Sequence, residues 1–285
     1  MGFRDRLSRI IVTFRRMGEI YRTGGITYAL ISNPIHEDVL SGKCILITGG
    51  SSGIGLAIAR KCLSCGASVI ITGRNEAKLK DTIQSLKSRD CRYLVWDVSD
   101  LKAIDGKLEE CFCLFNKDID ILVNNAGVAP NKFFGEVDEE EWNRIYNTNL
   151  RGNYFLTQAI VRKWKGKAPI EEYKRIINIS SQGGFVGATY PYRMTKWDIR
   201  GLTEGLGKML IKDNIIVNGI APGVVKTSMQ RFSLQQGDNL FTNQNLIKRV
   251  ILPEEIAEVA LFLMSGSGNT IVGQTIVCDG GYTLR

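Results

Sequence analysis

The chain has 285 residues, 44% of them apolar, enough core material for one large domain or two ordinary ones. No apolar run reaches the ~20 residues of a membrane-spanning helix, and the opening Met1-Gly2-Phe3-Arg4-Asp5-Arg6 lacks the continuous apolar stretch of a secretory signal. The net charge of +8 is concentrated at one end: Arg4, Arg6, Arg9, Arg15, Arg16 and Arg22 against Asp5 and Glu19 give residues 1–30 a net +4, and the mildly basic remainder argues against nucleic-acid binding.

Residues 1–40 stand apart from the rest as an N-terminal extension. Phe3, Leu7, Ile10, Phe14, Met17 and Tyr21 recur at three- and four-residue steps, which predicts a basic amphipathic helix. Gly24-Gly25 ends it and leaves a connector through Pro34. Packing on its own domain or on a sister subunit is the first reading of this helix, and attachment to an anionic membrane surface is the alternative. Gly2 stands where N-myristoylation needs it, but Arg6 replaces the Ser or Thr of that motif.

From Lys43 onward, short β-branched runs alternate with amphipathic segments. Strands are predicted at Cys44–Thr48, Ser68–Thr72, Arg92–Trp96, Ile119–Asn124, Arg175–Ser180, Ile215–Ile220 and Thr275–Cys278, with helices at Ile54–Cys65, Glu76–Ser88, Leu101–Phe115 and Glu139–Lys165. Gly66 is placed to end the first helix, and Pro253-Glu254-Glu255 opens the last. Such alternation predicts one α/β domain over 41–285, a doubly wound parallel sheet with helices on both faces. Cys62 and Cys65 form a CxxC without a second pair, and His36 is the only histidine, so buried thiols in a reducing cytoplasm are expected rather than a zinc site.

Two local patterns carry chemistry. Thr48-Gly49-Gly50-Ser51-Ser52-Gly53-Ile54-Gly55 follows the first strand and opens a helix, and such glycines let the backbone approach a pyrophosphate at the helix N-terminus. Tyr192 and Lys196 are four residues apart, which on a helix puts ammonium and phenol on one face. A phenol titrates near pH 10, and a fixed cation can lower that value. A shift of about three units, worth roughly 4 kcal/mol, would make Tyr192 a usable general acid or base.

The TGxxxGxG turn, Asn124-Asn125-Ala126-Gly127, Asn149, Ser180-Ser181, the Tyr192/Lys196 pair and Pro222-Gly223 with Thr227, in that order, resemble the short-chain dehydrogenase/reductase family over roughly residues 42–285. Gly273-Gln274 and Asp279-Gly280-Gly281 are similar to its acyl-carrier-protein reductase-like members. The resemblance implies a Rossmann-type sheet of about seven strands and an oxidoreductase that interconverts a carbonyl and a secondary alcohol. It places Thr48, Gly49, Ser51, Ser52, Gly53, Ile54 and Gly55 around the dinucleotide phosphates, with Asp97 and Val98 at the adenine. Asn124, Ala126 and Gly127 join the cofactor site, and Pro222, Gly223, Val225 and Thr227 receive the nicotinamide. Ser181, with Ser180 as the alternative, would hydrogen-bond the substrate oxygen. Tyr192 would donate the proton, Lys196 would lower the Tyr192 pKa and hold the ribose, and Asn149 would support a water-linked proton path.

Gly73-Arg74 ends the second strand without the acid that binds the 2′-hydroxyl of NAD, so NADP is the expected cofactor and NAD the alternative. Tyr190 is a rival phenol, but its i+4 residue is Met194, so packing is its expected role. Ser181 and Tyr192 are eleven residues apart, closer than is usual in the family, which marks an unusual substrate wall. After Thr227, the apolar Met229, Phe232, Leu234, Leu240 and Phe241, interspersed with Gln235, Gln236, Asp238, Asn243 and Gln244, read as a substrate cover or as ordinary core. The expected partners are a small or acyl-type carbonyl substrate and, by resemblance, further copies of the chain in a dimer or tetramer. A catalytically silent nucleotide-sensing protein on the same fold is the alternative from another functional class.

Overall fold

The computed structural model describes residues 11–15, 17–18, 20–22, 24–25, 27, 38–166, 169–227 and 239–284. Strands β1 (Cys44–Thr48), β2 (Ser68–Gly73), β3 (Cys91–Val95), β4 (Ile121–Asn124), β5 (Lys174–Ile179), β6 (Ile215–Pro222) and β7 (Thr275–Cys278) form one sheet in the order β3-β2-β1-β4-β5-β6-β7. Every pairing is parallel. The connecting helices are α1 (Gly53–Ser64), α2 (Glu76–Leu86), α3 (Ile104–Phe115), α4 (Glu139–Tyr146), α5 (Gly152–Lys165), α6 (Pro191–Leu210) and α7 (Pro253–Met264).

Period-two alternation decides which face each side chain joins. Ile45 and Ile47 of β1 pack with Ile58 of α1, Leu79 of α2 and Ile256 of α7, whereas Cys44 and Leu46 pack with Leu108 of α3, Ile160 of α5 and Leu210 of α6. Both faces are therefore covered, as the continuous apolar strands predict. Local chemistry sets the helix ends. Asn75 caps α2 by accepting from the Lys78 N–H at 2.9 Å, and Gly66, at φ +83°, turns the chain out of α1. Glu255, in the first turn of α7, accepts from the Leu252 N–H at 2.8 Å and from the Arg249 guanidinium through both oxygens at 2.7 Å.

The stretch predicted as one helix over Glu139–Lys165 is divided. A π-turn, Asn147–Arg151, separates α4 from α5. It adjoins a long-range contact: a Cβ on Gly152 would sit 2.3 Å from the Val98 carbonyl oxygen, so the backbone itself lies against the β3 exit loop. Cys62 and Cys65 are buried thiols, and burial pushes both pKa values up.

Beyond the carboxyl edge of the sheet, several short segments are laced together. The Ile251 N–H donates to the Val224 carbonyl at 2.8 Å, and the Val250 N–H donates to the Leu240 carbonyl at 2.8 Å. The Leu240 N–H in turn reaches the Thr27 carbonyl at 3.1 Å. Asn239 completes the strap, accepting from the Thr27 N–H at 3.2 Å and donating to the Gly25 carbonyl at 3.1 Å. Leu240 packs with Val224 and Val250, and Phe241 packs against Gly25, so both are core residues of this strap. The other apolar candidates of that stretch (Met229, Phe232 and Leu234) lie outside the described residues, as do Gln235, Gln236, Asp238, Phe3, Leu7, Ile10 and His36. The described residues between 11 and 22 are helical, and Gly24, at φ +81°, ends the run.

Candidate active site

The carboxyl ends of β1, β2, β4, β5 and β6 open on one cleft of about 340 Å³. It sits where the strand order reverses between β1 and β4, the crevice in which doubly wound sheets bind ligands. Thr48 Oγ1 accepts from the Asn125 and Ala126 N–H groups, both at 3.0 Å, and Asn125 Nδ2 donates to the carbonyls of Thr48 at 2.8 Å and Gly49 at 3.0 Å. These bonds fix the glycine turn against the end of β4. Gly53 opens α1 at φ +55°, and a Cβ there would lie 3.0 Å from Thr227 Cγ2. A Cβ on Gly55 would stand 2.5 Å from the Gly49 carbonyl oxygen. The turn is thus a backbone-lined cradle ending in the free N–H groups of a helix start, which fits a pyrophosphate.

Gly49, Ser51, Ser52, Gly53, Ile54, Arg74, Asp97, Val98, Ala126, Gly127, Ser181, Tyr192, Lys196, Pro222, Gly223, Val225 and Thr227 all line this cleft. Thr48, Gly55, Asn124 and Asn149 stand behind its wall. Asn124 is buried, and its Nδ2 donates to Thr157 Oγ1 at 2.8 Å and Asn178 Oδ1 at 2.9 Å, so its side chain ties β4 to β5 and α5. Asn149 lies in the π-turn with no exposed surface. Its Oδ1 accepts from the Val128 N–H at 2.7 Å and its Nδ2 donates to the Val128 carbonyl at 3.1 Å, which holds the cleft-lining Val128 in place. The Asn149 carbonyl receives Asn153 Nδ2 at 2.8 Å.

Ser181 leaves β5, accepts from the Gly183 N–H at 3.1 Å and hydrogen-bonds Tyr192. Ser180 Oγ instead donates to the Lys196 carbonyl at 2.8 Å, so its proton is committed to α6. Pro191 starts α6, which puts Tyr192 in the first turn and Lys196 one turn later on the same face. Lys196 Nζ lies 5.6 Å from the Tyr192 ring centroid and donates to the Ile179 carbonyl at 3.0 Å. Tyr190 is outside the cleft wall, edge-on to Phe133 at 5.0 Å and beneath the Arg193 guanidinium at 5.4 Å, a packing residue.

The expected lowering of the Tyr192 pKa is not what this geometry gives. Burial pushes the phenol above its ordinary value and outweighs the hydrogen bond from Ser181, which pulls it down. Burial also lowers the Lys196 ammonium to about 8. Desolvation disfavours both charged forms, and it is the larger influence on each.

Lys78, Asn75, Trp96 and Thr148 also line the cleft and were not anticipated from the sequence. Lys78 follows Arg74 by four residues in the first turn of α2, and that spacing was the available signal.

A doubly wound sheet with a glycine cradle and a Ser/Tyr/Lys cluster at its switch point defines a nucleotide-dependent oxidoreductase class, and comparison with known proteins agrees. A family model described as "Enoyl-(Acyl carrier protein) reductase" matches residues 49–283. The 3-oxoacyl-[acyl-carrier-protein] reductase FabG of Aquifex aeolicus is 34% identical over 250 residues, covering 86% of this chain and 99% of the relative. The Thauera aromatica (2S)-[(R)-hydroxy(phenyl)methyl]succinyl-CoA dehydrogenase subunit BbsD is 30% identical over 86% of this chain and 98% of its own length. Among solved structures, the Pseudomonas aeruginosa RhlG/NADP active-site complex superposes with a TM-score of 0.79 at 30% identity, covering 89% of this chain and all of that one. The 3-ketoacyl-(acyl-carrier-protein) reductase of Brucella melitensis complexed with NADH gives 0.78 at 29% identity, with 86% of this chain and 100% of that chain covered. The chain belongs to the short-chain dehydrogenase/reductase family and is an NAD(P)-dependent oxidoreductase acting on CH–OH groups.

Proposed function

We propose that the chain is an NADP-dependent reductase of acyl-type carbonyl compounds, with Tyr192 as the proton donor. The convergence of Ser181, Tyr192 and Lys196 on the cleft wall carrying Pro222, Gly223 and Thr227 supports this reading above all. The cradle from Gly49 to Ile54 would hold the pyrophosphate, and Asp97 and Val98 would flank the adenine. When bound, the dinucleotide supplies the hydride. Ser181 and Tyr192 present two hydroxyls to a developing alkoxide, and the Tyr192 proton neutralises it. A raised phenol pKa keeps that proton in place until an oxyanion asks for it. Asn149 acts through Val128, as a positioning residue.

The cofactor preference rests on Arg74, just after β2, and Lys78, in the first turn of α2, with no acid at the 2′-hydroxyl position. Ser51 and Ser52 put no basic residue in the glycine turn, and Lys78 supplies a second cation beside Arg74 in the cleft lining. Among the relatives, the FabG proteins are named for 3-oxoacyl substrates, which favours a 3-oxoacyl thioester over a simple ketone.

The test is turnover of NADPH and NADH against 3-oxoacyl thioesters, simple ketones and enoyl thioesters. We expect 3-oxoacyl thioesters to be reduced, and Tyr192→Phe to lose about 10²-fold or more in kcat while still binding nucleotide. A Tyr192→Phe enzyme as fast as wild type would remove Tyr192 from the mechanism, and turnover restricted to the enoyl thioester would remove the carbonyl reaction. Arg74→Ala and Lys78→Ala should each weaken NADPH binding about tenfold, the worth of a charge-assisted phosphate contact, and leave NADH unchanged. Equal losses for both nucleotides would favour the NAD reading, for which the NADH-bound Brucella relative is the supporting observation.

A further inference from the structure

The helix between residues 11 and 22 carries apolar side chains that the domain leaves uncovered. Ile11, Phe14, Met17 and Tyr21 are 60%, 68%, 58% and 95% exposed, and Val12 and Ile20, on other sides of the helix, are 49% and 48% exposed. Phe14, Met17 and Tyr21 follow one another at three- and four-residue steps and form a stripe. Arg15 and Arg22, seven residues apart, share a neighbouring side of the helix. The surrounding sequence is strongly cationic, at a net +4 over residues 1–30.

This helix is also tied to the cleft. Beyond the Gly24 turn, Thr27 is bonded to Asn239 and Leu240, and Leu240 to Val250. Ile251, next in the chain, bridges Val225, which lines the cleft wall. A short hydrogen-bonded lacing therefore links the exposed helix to the wall expected to receive the nicotinamide.

We propose that this helix docks on an anionic lipid membrane and holds the β6–α7 side of the cleft at the bilayer surface. The stripe of Phe14, Met17 and Tyr21 enters the boundary between headgroups and acyl chains, and the arginines meet lipid phosphates. Charge and apolarity are both needed to select this occupant. A nucleic acid would answer the charge and leave three large apolar side chains wet. A second copy of the helix, packed symmetrically, would bring a net positive segment against itself. A bilayer with anionic headgroups satisfies both features at once.

The experiment is co-sedimentation of the full chain with phosphatidylcholine vesicles, with and without phosphatidylglycerol, at low and high salt. We expect binding at least about tenfold tighter to the phosphatidylglycerol vesicles and weakened by salt. The pairs Phe14→Asp/Met17→Asp and Arg15→Glu/Arg22→Glu should each reduce it about tenfold or more, with the thermal melt unchanged because these side chains are exposed. Equal binding to both vesicle types, no binding at low salt, or binding that survives either pair would overturn the proposal. So would a chain that binds no vesicle and changes from oligomer to monomer in Phe14→Asp/Met17→Asp, which would make the face a contact between copies. Duplex DNA that binds the full chain and is lost in Arg15→Glu/Arg22→Glu, with no vesicle binding, would overturn it in favour of nucleic acid.

Discussion

At Lys196, burial and charge oppose each other. The side chain is 5% exposed, its ammonium has one backbone acceptor among the described contacts, and its pKa falls to about 8. A depressed pKa means that the folded chain holds fewer protons here than the unfolded chain between about 8 and the ordinary lysine value. Stability from this group therefore rises with pH across that window and is lost as pH falls through about 8. Lys196→Met removes the dependence. Denaturant melts should show wild type gaining about 2 kcal/mol relative to Lys196→Met between roughly pH 7 and pH 9.5. A difference independent of pH would show that the ammonium is solvated. The cost of keeping this cation indoors is consistent with its proposed role, since a ribose and a phenolate would supply the partners that it lacks.

The π-turn before α5 sits beside a long-range contact that the local pattern does not display. Apolar spacing over residues 139–165 matches a single helix, because periodicity counts neighbours along the chain and cannot register Val98 pressing on Gly152. The consequence falls on the cleft: the π-turn carries Asn149, Asn149 holds Val128, and Val98 and Val128 both line the wall. Gly152→Ala would drive a methyl into the Val98 carbonyl. We expect a loss of about 1–3 kcal/mol in stability, together with weaker nucleotide binding, read by thermal melts and nucleotide titration. Full stability in Gly152→Ala would mean that the β3 exit loop yields without cost. The glycine turn, by contrast, was readable, because its strand, turn and helix adjoin in sequence, although Gly53 also has a distant neighbour in Thr227. The places of Ser181 and Tyr192 in the cleft wall followed from the ordered resemblance and from the Tyr192/Lys196 spacing. Lys78 was not readable, since a cation in a first helical turn looks solvated until the fold turns it toward the cleft that Arg74 also lines. The direction of the Tyr192 shift was also hidden, because desolvation depends on residues from β5 and α6 together.

The sheet, both cores and the cleft follow from alternation that the sequence displays openly, whereas the attachment of the N-terminal segment does not. Nothing in Gly24-Gly25 or Thr27 announces Asn239 as a partner. Asn239 is 5% exposed and bonds to Thr27, Gly25 and the Phe241 N–H, so Asn239→Leu should remove three hydrogen bonds of the strap. We expect trypsin to cut after Arg22 several-fold faster in this variant, with the nucleotide-binding domain still protected. An unchanged cleavage rate would show that the helix is held by other contacts. The strap also sets an order of events during synthesis. Thr27 and Asn239 are 212 positions apart, so the segment around Thr27 waits for the whole sheet but β7 to be made before its seat exists. Closing so long a loop is slow compared with the local pairing of β1 with β2. Throughout that interval the amphipathic helix is available to whatever surface it meets, and the catalytic domain is assembled behind it.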